Sequence, residues 1–119
     1  MIKLEINDIA QIQHVFGLDE LIINNRLKHP VKITIGKSRR KYQVFKNVIA
    51  MHRDEGELKI GYFDKAGNFR IYSCYPYFYQ PEYMVIAGKS FKTDSADKVR
   101  IALNYLEVIL SLENLEEND

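Results

Sequence analysis

Between Tyr72 and Tyr83 the chain places six of its fourteen aromatic side chains, at Tyr72, Tyr75, Tyr77, Phe78, Tyr79 and Tyr83. Tyrosine joins a flat face for stacking to a hydroxyl that tolerates water, which suits a half-exposed platform for nucleobases. A core strand would use Val, Ile and Leu instead. Upstream, residues 21–53 carry Arg26, Lys28, Lys32, Lys37, Arg39, Arg40, Lys41, Lys46 and Arg53 with no acid among them. Bunched cations are the footprint of a polyanion-binding face, because phosphate contacts release counterions and supply most of non-specific affinity. Two structural alternatives stand beside this reading. The tyrosines can pack under a helix or between copies of the chain, and the cations can pair with acids from elsewhere in the fold.

Other chemistry finds little support. Ile35-Gly36-Lys37-Ser38 resembles the end of a phosphate-binding loop, but that motif needs glycine where Val31 stands. His14, His29, His52 and Cys74 lack paired ligand spacing, so no metal and no cofactor is expected. Cys74 falls in an alternating segment and reads as packing. His52 beside Arg53, Asp54 and Glu55 is what a polar turn looks like, and no enzyme is expected.

The charge is uneven along the chain. Residues 1–20 carry one base against four acids, and residues 54–119 carry seven bases against twelve acids, which leaves the 119-residue chain at +1. Glu113, Glu116, Glu117 and Asp119 form an acidic end, read either as a solubilising tail or as a partner-binding one. An apolar fraction of 46% is that of an ordinary globular protein, and the length suits one core. No apolar run approaches a membrane span, the first residues lack the pattern of a signal peptide, and a single cysteine cannot form an internal disulfide; a cytoplasmic protein is expected.

These side chains need elements to hold them. Ile2, Leu4 and Ile6 alternate as a strand, and Asn7 and Asp8 offer a cap for a short helix through Ile9, Ile12, Val15 and Phe16 that Gly17 ends. Residues 18–29 are ambiguous. Strands are expected over 31–35, 42–51, 58–63, 69–74 and 83–87, with a five-residue connection at 64–68 joining the third and fourth of these as a hairpin. If Leu58, Ile60 and Tyr62 face the core, the alternation puts Lys59, Gly61 and Phe63 on the opposite face together with Arg70 and Tyr72. A helix is expected over about 95–113, capped by Asp94 or Ser95, with Val99, Leu103, Leu106 and Leu110 as its core stripe. A second stripe, Ile101, Tyr105, Val108 and Leu112, points to a homodimer or higher oligomer. The fold class is α+β, mainly β: five or six strands curled into a small barrel, with a short N-terminal and a longer C-terminal helix.

A basic loop, a small barrel, an aromatic and basic face, a terminal helix and an acidic end together resemble the phage single-stranded-DNA-binding proteins of the OB-fold type, in size most of all the small lactococcal-phage members. The resemblance is one of layout over the whole chain, with no fixed signature. It implies a single OB-like domain over 1–112 and an acidic flexible tail over 113–119 that recruits replication or recombination proteins. It also implies sequence-independent binding of single-stranded DNA, with the candidate residues Lys32, Lys37, Arg39, Arg40, Lys41, Lys59, Phe63, Arg70, Tyr72, Tyr75, Tyr77 and Tyr79. Bacterial relatives close their tails on an aromatic residue, whereas this chain ends Glu116-Glu117-Asn118-Asp119. The competing expectation is a small phage-encoded interaction module that inhibits a host enzyme, with the tyrosines as a protein interface.

Overall fold

The computed structural model describes residues 9–18, 20–23, 31–38, 41–54 and 56–111. The expected strand over residues 2–6, the cap at Asn7 and Asp8, Arg39, Arg40, Leu112 and the acidic end lie outside the described residues. The elements run α1 (Ile9–Phe16), β1 (Ile22–Ile23), β2 (Val31–Ser38), β3 (Lys41–Arg53), β4 (Leu58–Phe63), β5 (Phe69–Cys74), β6 (Tyr83–Ile86), β7 (Lys89–Lys92) and α2 (Ala96–Ser111). The fold is α+β and mainly β, as the alternation predicts. All pairings are antiparallel in one seven-stranded sheet of order β5-β4-β3-β2-β6-β7, with β1 attached to β3. Among the described residues β5 and β7 end this path and do not pair, so the expected closure of the barrel is not made.

The long strand β3 organises the rest. Its first half pairs with β2, from Ser38 opposite Lys41 to Val31 opposite Val48, and its second half pairs with β4 from Val48 onward. Ile49 is the extra residue of a bulge between these halves. A bulge shifts the face alternation by one, so Val48 and Met51 enter one core while Ile49 and Ala50 enter another.

Each core has its helix. Val99, Leu103, Leu106 and Leu110 of α2, the expected stripe, are buried with Ile33, Ile60 and Ile86 of the sheet. On the opposite face Ile12 and Phe16 of α1 pack on Ile49, Ala50 and Phe69. Gly61 lies beneath α1, where a β-carbon would stand 2.6 Å from the rings of both Phe16 and Phe69. The caps follow the sequence: Gly17 ends α1 at a φ of +71°, and the Ser95 hydroxyl accepts from the Lys98 amide at 3.3 Å to start α2.

Three expectations are corrected. The expected division of faces fails, because the register sets Ile60 opposite Tyr72 and Tyr62 opposite Arg70, and opposed residues of an antiparallel pair share a face. Arg70 and Tyr72 therefore lie on the α2 side of the sheet, and Lys59 and Phe63 on the other. A further strand, β7, follows β6 through a tight Ala87-Gly88 turn with φ of 50° and 86°, the positive values that a two-residue hairpin favours. The second stripe of α2 is divided as well. Ile101 and Val108 are 59% and 54% exposed, but Tyr105 packs against Phe91 at 5.2 Å with Lys89 above its ring.

The β4–β5 hairpin closes on Asp64, whose carboxylate accepts from the amides of Ala66 and Asn68 and, at 2.6 Å, from Arg70 Nε. These bonds, led by that from Arg70, hold the Asp64 carboxyl below its usual value. The resulting stabilisation is complete above the ordinary carboxylate pKa and is lost as pH falls through the lowered one. Thermal melts of Asp64→Asn should lose part of the wild-type decline in Tm at acid pH. Parallel curves for the two proteins below pH 4 would show that Asp64 contributes nothing to it.

Candidate functional site

The second half of β2 and the first half of β3 do not merely continue the sheet. Before Val48, the edge of β3 that faces away from β2 has no strand partner among the described residues, and Lys41, Tyr42, Gln43 and Val44 are all exposed. Opposite this arm the chain leaves β5 and turns through residues 75–81 before entering β6. Between arm and turn lies an open cleft of about 590 Å³.

One wall of the cleft is Ile35, Lys37, Lys41, Tyr42 and Gln43; the other is Tyr72, Cys74, Tyr75, Pro76, Tyr79 and Pro81; the buried side chains of Leu58 and Met84 form the floor. Four tyrosines and two lysines line it, and no carboxylate does. Its size falls in the range of small-molecule sites, about 300–1,000 Å³.

The aromatic turn is held in place. The Tyr75 carbonyl accepts from the amides of Phe78 and Tyr79, and the buried Thr93 hydroxyl donates to the Pro81 carbonyl at 2.9 Å. With Pro76 and Pro81 both buried, Tyr75 and Tyr79 stand 46% and 73% exposed on a fixed backbone. Little ordering entropy remains to be lost when a ligand stacks on them. Tyr72 is half-buried, with its ring 4.8 Å from that of Phe45, and burial raises its hydroxyl pKa. It therefore stays a neutral donor at physiological pH.

The predicted residues divide. Lys37, Lys41, Tyr72, Tyr75 and Tyr79 come together in the cleft. Tyr77 does not: its hydroxyl accepts from Arg53 Nη2 at 2.7 Å, while Arg53 Nη1 donates to Asn104 and Glu107 of α2. Tyr77 thus ties the turn to the helix instead of stacking on a ligand. Arg70 is bound to Asp64, Lys59 lies 4.0 Å from Glu57, and Phe63 packs on Phe69 under α1; none of the three reaches the cleft. Lys32 is exposed on the face of the sheet away from it. Sequence reasoning missed Tyr42 and Gln43, although Tyr42 directly follows the basic run.

Among the described residues the ion pairs engage Arg53, Lys59, Arg70, Lys98 and Arg100, and none engages Lys32, Lys37, Lys41 or Lys46. Apart from Arg53, the described cations of the acid-free segment form no ion pair with the described acids. Cys74, at the cleft wall, has its thiol pushed up to about 11, first by burial and then by the Glu57 charge. Little of the thiol is then thiolate at pH 8, so iodoacetamide should label native Cys74 far more slowly than the unfolded chain. Equal rates in the two states would contradict that burial.

No group of His, Cys, Asp and Glu among the described residues could hold a metal ion, and no described helix is long and apolar enough to cross a membrane. Comparison with family models, curated proteins and solved structures found no match to this chain. The fold and the cleft alone define it, as an α+β protein with a preorganised aromatic and basic groove.

Proposed function

We propose that the chain binds single-stranded nucleic acid without sequence preference, stacking bases on Tyr75 and Tyr79 and meeting phosphates with Lys37, Lys41 and the adjoining Arg39 and Arg40. The observation that carries this reading is the composition of the cleft, lined by four tyrosines and by two lysines that enter no ion pair among the described residues, and by no carboxylate. Stacking is sequence-tolerant because every base has a π-face, and cations attract the phosphates of any sequence alike. The layout resemblance to phage single-stranded-DNA-binding proteins favours DNA as the ligand and replication or recombination as the setting.

One observation favours a second reading, a protein-interaction module that inhibits a host enzyme. Phe78, Ile101 and Val108 are exposed apolar side chains outside the cleft, and such residues serve protein contacts, including one with a second copy of the chain. Fluorescence titration with labelled dT oligonucleotides at two salt concentrations separates the readings. Saturable binding that weakens steeply with salt is expected; no binding at low salt would leave the interaction module as the better account.

A further inference from the structure

The arm formed by β2 and β3 has two faces, and the cleft uses one of them. On the other, the register sets Tyr42 beside Gly36, Gly36 beside Tyr83 and Tyr83 beside Lys92, a row across four strands. Three strand spacings make that row roughly 14 Å long. The end of the Tyr83 ring covers Gly36, where any β-carbon would collide with it, so the glycine is what lets this tyrosine lie on the sheet. Lys32 and Lys46 stand exposed on the same face, one strand position beyond Ile33 and Phe45, which point to the core.

The charge of this region is one-sided. The strands β2, β3, β6 and β7 contain no Asp or Glu at any position. Lys32 and Lys46 enter no ion pair among the described residues, and Lys92 meets an acid only through the field of Asp94, which is bonded to Lys98. Helix α1 covers the sheet elsewhere, over Ile49, Ala50 and Phe69. Tyr42 is 58% exposed and belongs to both surfaces, since it also lines the cleft.

We propose that this outer face is a second subsite for the same nucleic-acid strand, which leaves the cleft past Lys37 and Lys41, passes Tyr42 and doubles back over Tyr83 toward Lys32, Lys46 and Lys92. The inference rests on the reading of the cleft and extends it: the arm is gripped on both sides, and the occluded length exceeds what the cleft holds. Unpaired cations beside an open tyrosine, continuous with a groove of the same chemistry, fit a polyanion with stacking faces.

The test compares dT4 with dT20 on the full chain, using the wild type, a Lys46→Ala/Lys92→Ala variant and a Tyr75→Ala/Tyr79→Ala variant, each checked for an unchanged melt. For the lysine variant dT20 binding should weaken about fivefold or more and its log–log salt slope shrink by about 1.4, at about 0.7 per phosphate contact, while dT4 binding stays as in the wild type. The tyrosine variant should weaken both oligonucleotides. If dT20 binds the lysine variant as it binds the wild type, the second subsite is wrong and the cleft stands. Equal losses for dT4 and dT20 would also overturn it, since the lysines would then act only through the general field. A wild type that binds neither oligonucleotide removes both readings, and poly-glutamate binding as tight as dT20 would assign the face to an acidic polypeptide instead.

Discussion

Replacing Tyr75 and Tyr79 together by Ala should weaken binding of a dT oligonucleotide by roughly thirtyfold or more, since a base stacked on an aromatic side chain is worth about 1–3 kcal/mol. The fold should be untouched. Both side chains are exposed, the turn is fixed by backbone bonds to the Tyr75 carbonyl and by Thr93, and an alanine keeps those bonds. Substitutions of this kind usually shift stability by less than about 0.5 kcal/mol. Titration of tryptophan-free protein with a labelled oligonucleotide reads the loss directly. If the double variant binds within a factor of two of the wild type, bases do not stack on this turn.

The second large effect belongs to the basic run Arg39-Arg40-Lys41. Replacing Arg39, Arg40 and Lys41 by Ala should flatten the dependence of log affinity on log salt by about 2, close to 0.7 for each of three phosphate contacts. Lys41 lines the cleft, and Arg39 and Arg40 adjoin it in sequence. The loss should be greatest at low salt, where counterion release contributes most. A variant whose slope equals that of the wild type would place the phosphates elsewhere.

Much of the framework was legible because local rules and tertiary packing agree. Alternation marked β2 to β6, Ser95 and Gly17 capped the helices as expected, and the buried stripe of α2 is the one its spacing predicts. The failures share a physical cause. Reading β5 by alternation sends Phe69 and Ile71 to the core opposite Tyr72, which assumes that the sheet has one buried face. Here both faces are buried in places, and Phe69 belongs to the cluster under α1. Loop length outranks alternation at this hairpin: five residues between Phe63 and Phe69 make those two a closing pair and fix every face that follows. The strand β7 was hidden because Lys89-Ser90-Phe91-Lys92 holds one apolar residue and its turn uses Ala87 at positive φ, where Asn or Asp is the usual signal.

At the candidate site, the density of tyrosine was informative and its distribution was not. Tyr75, Tyr77 and Tyr79 look equivalent in sequence, yet a guanidinium 24 positions away captures Tyr77. Arg70 likewise read as a free cation until the closing turn supplied Asp64. Long-range partners of this kind leave no local trace.

The strand order also bears on how the molecule assembles and comes apart. Neighbours β2–β3, β3–β4, β4–β5 and β6–β7 are each consecutive in the chain, so these ladders close short loops, while the β2–β6 pairing joins residues about fifty positions apart. Among the ladders the longest loop is therefore closed by one seam of four residue pairs, Ile33–Ile86 to Gly36–Tyr83. The β6–β7 hairpin meets the remaining strands across that seam, and α2 meets them through the core it shares with Ile33 and Ile60 and through Arg53. Amide exchange should show this C-terminal third opening as a unit, below the free energy of global unfolding, and with each opening Met84 and Pro81 would leave the groove they line.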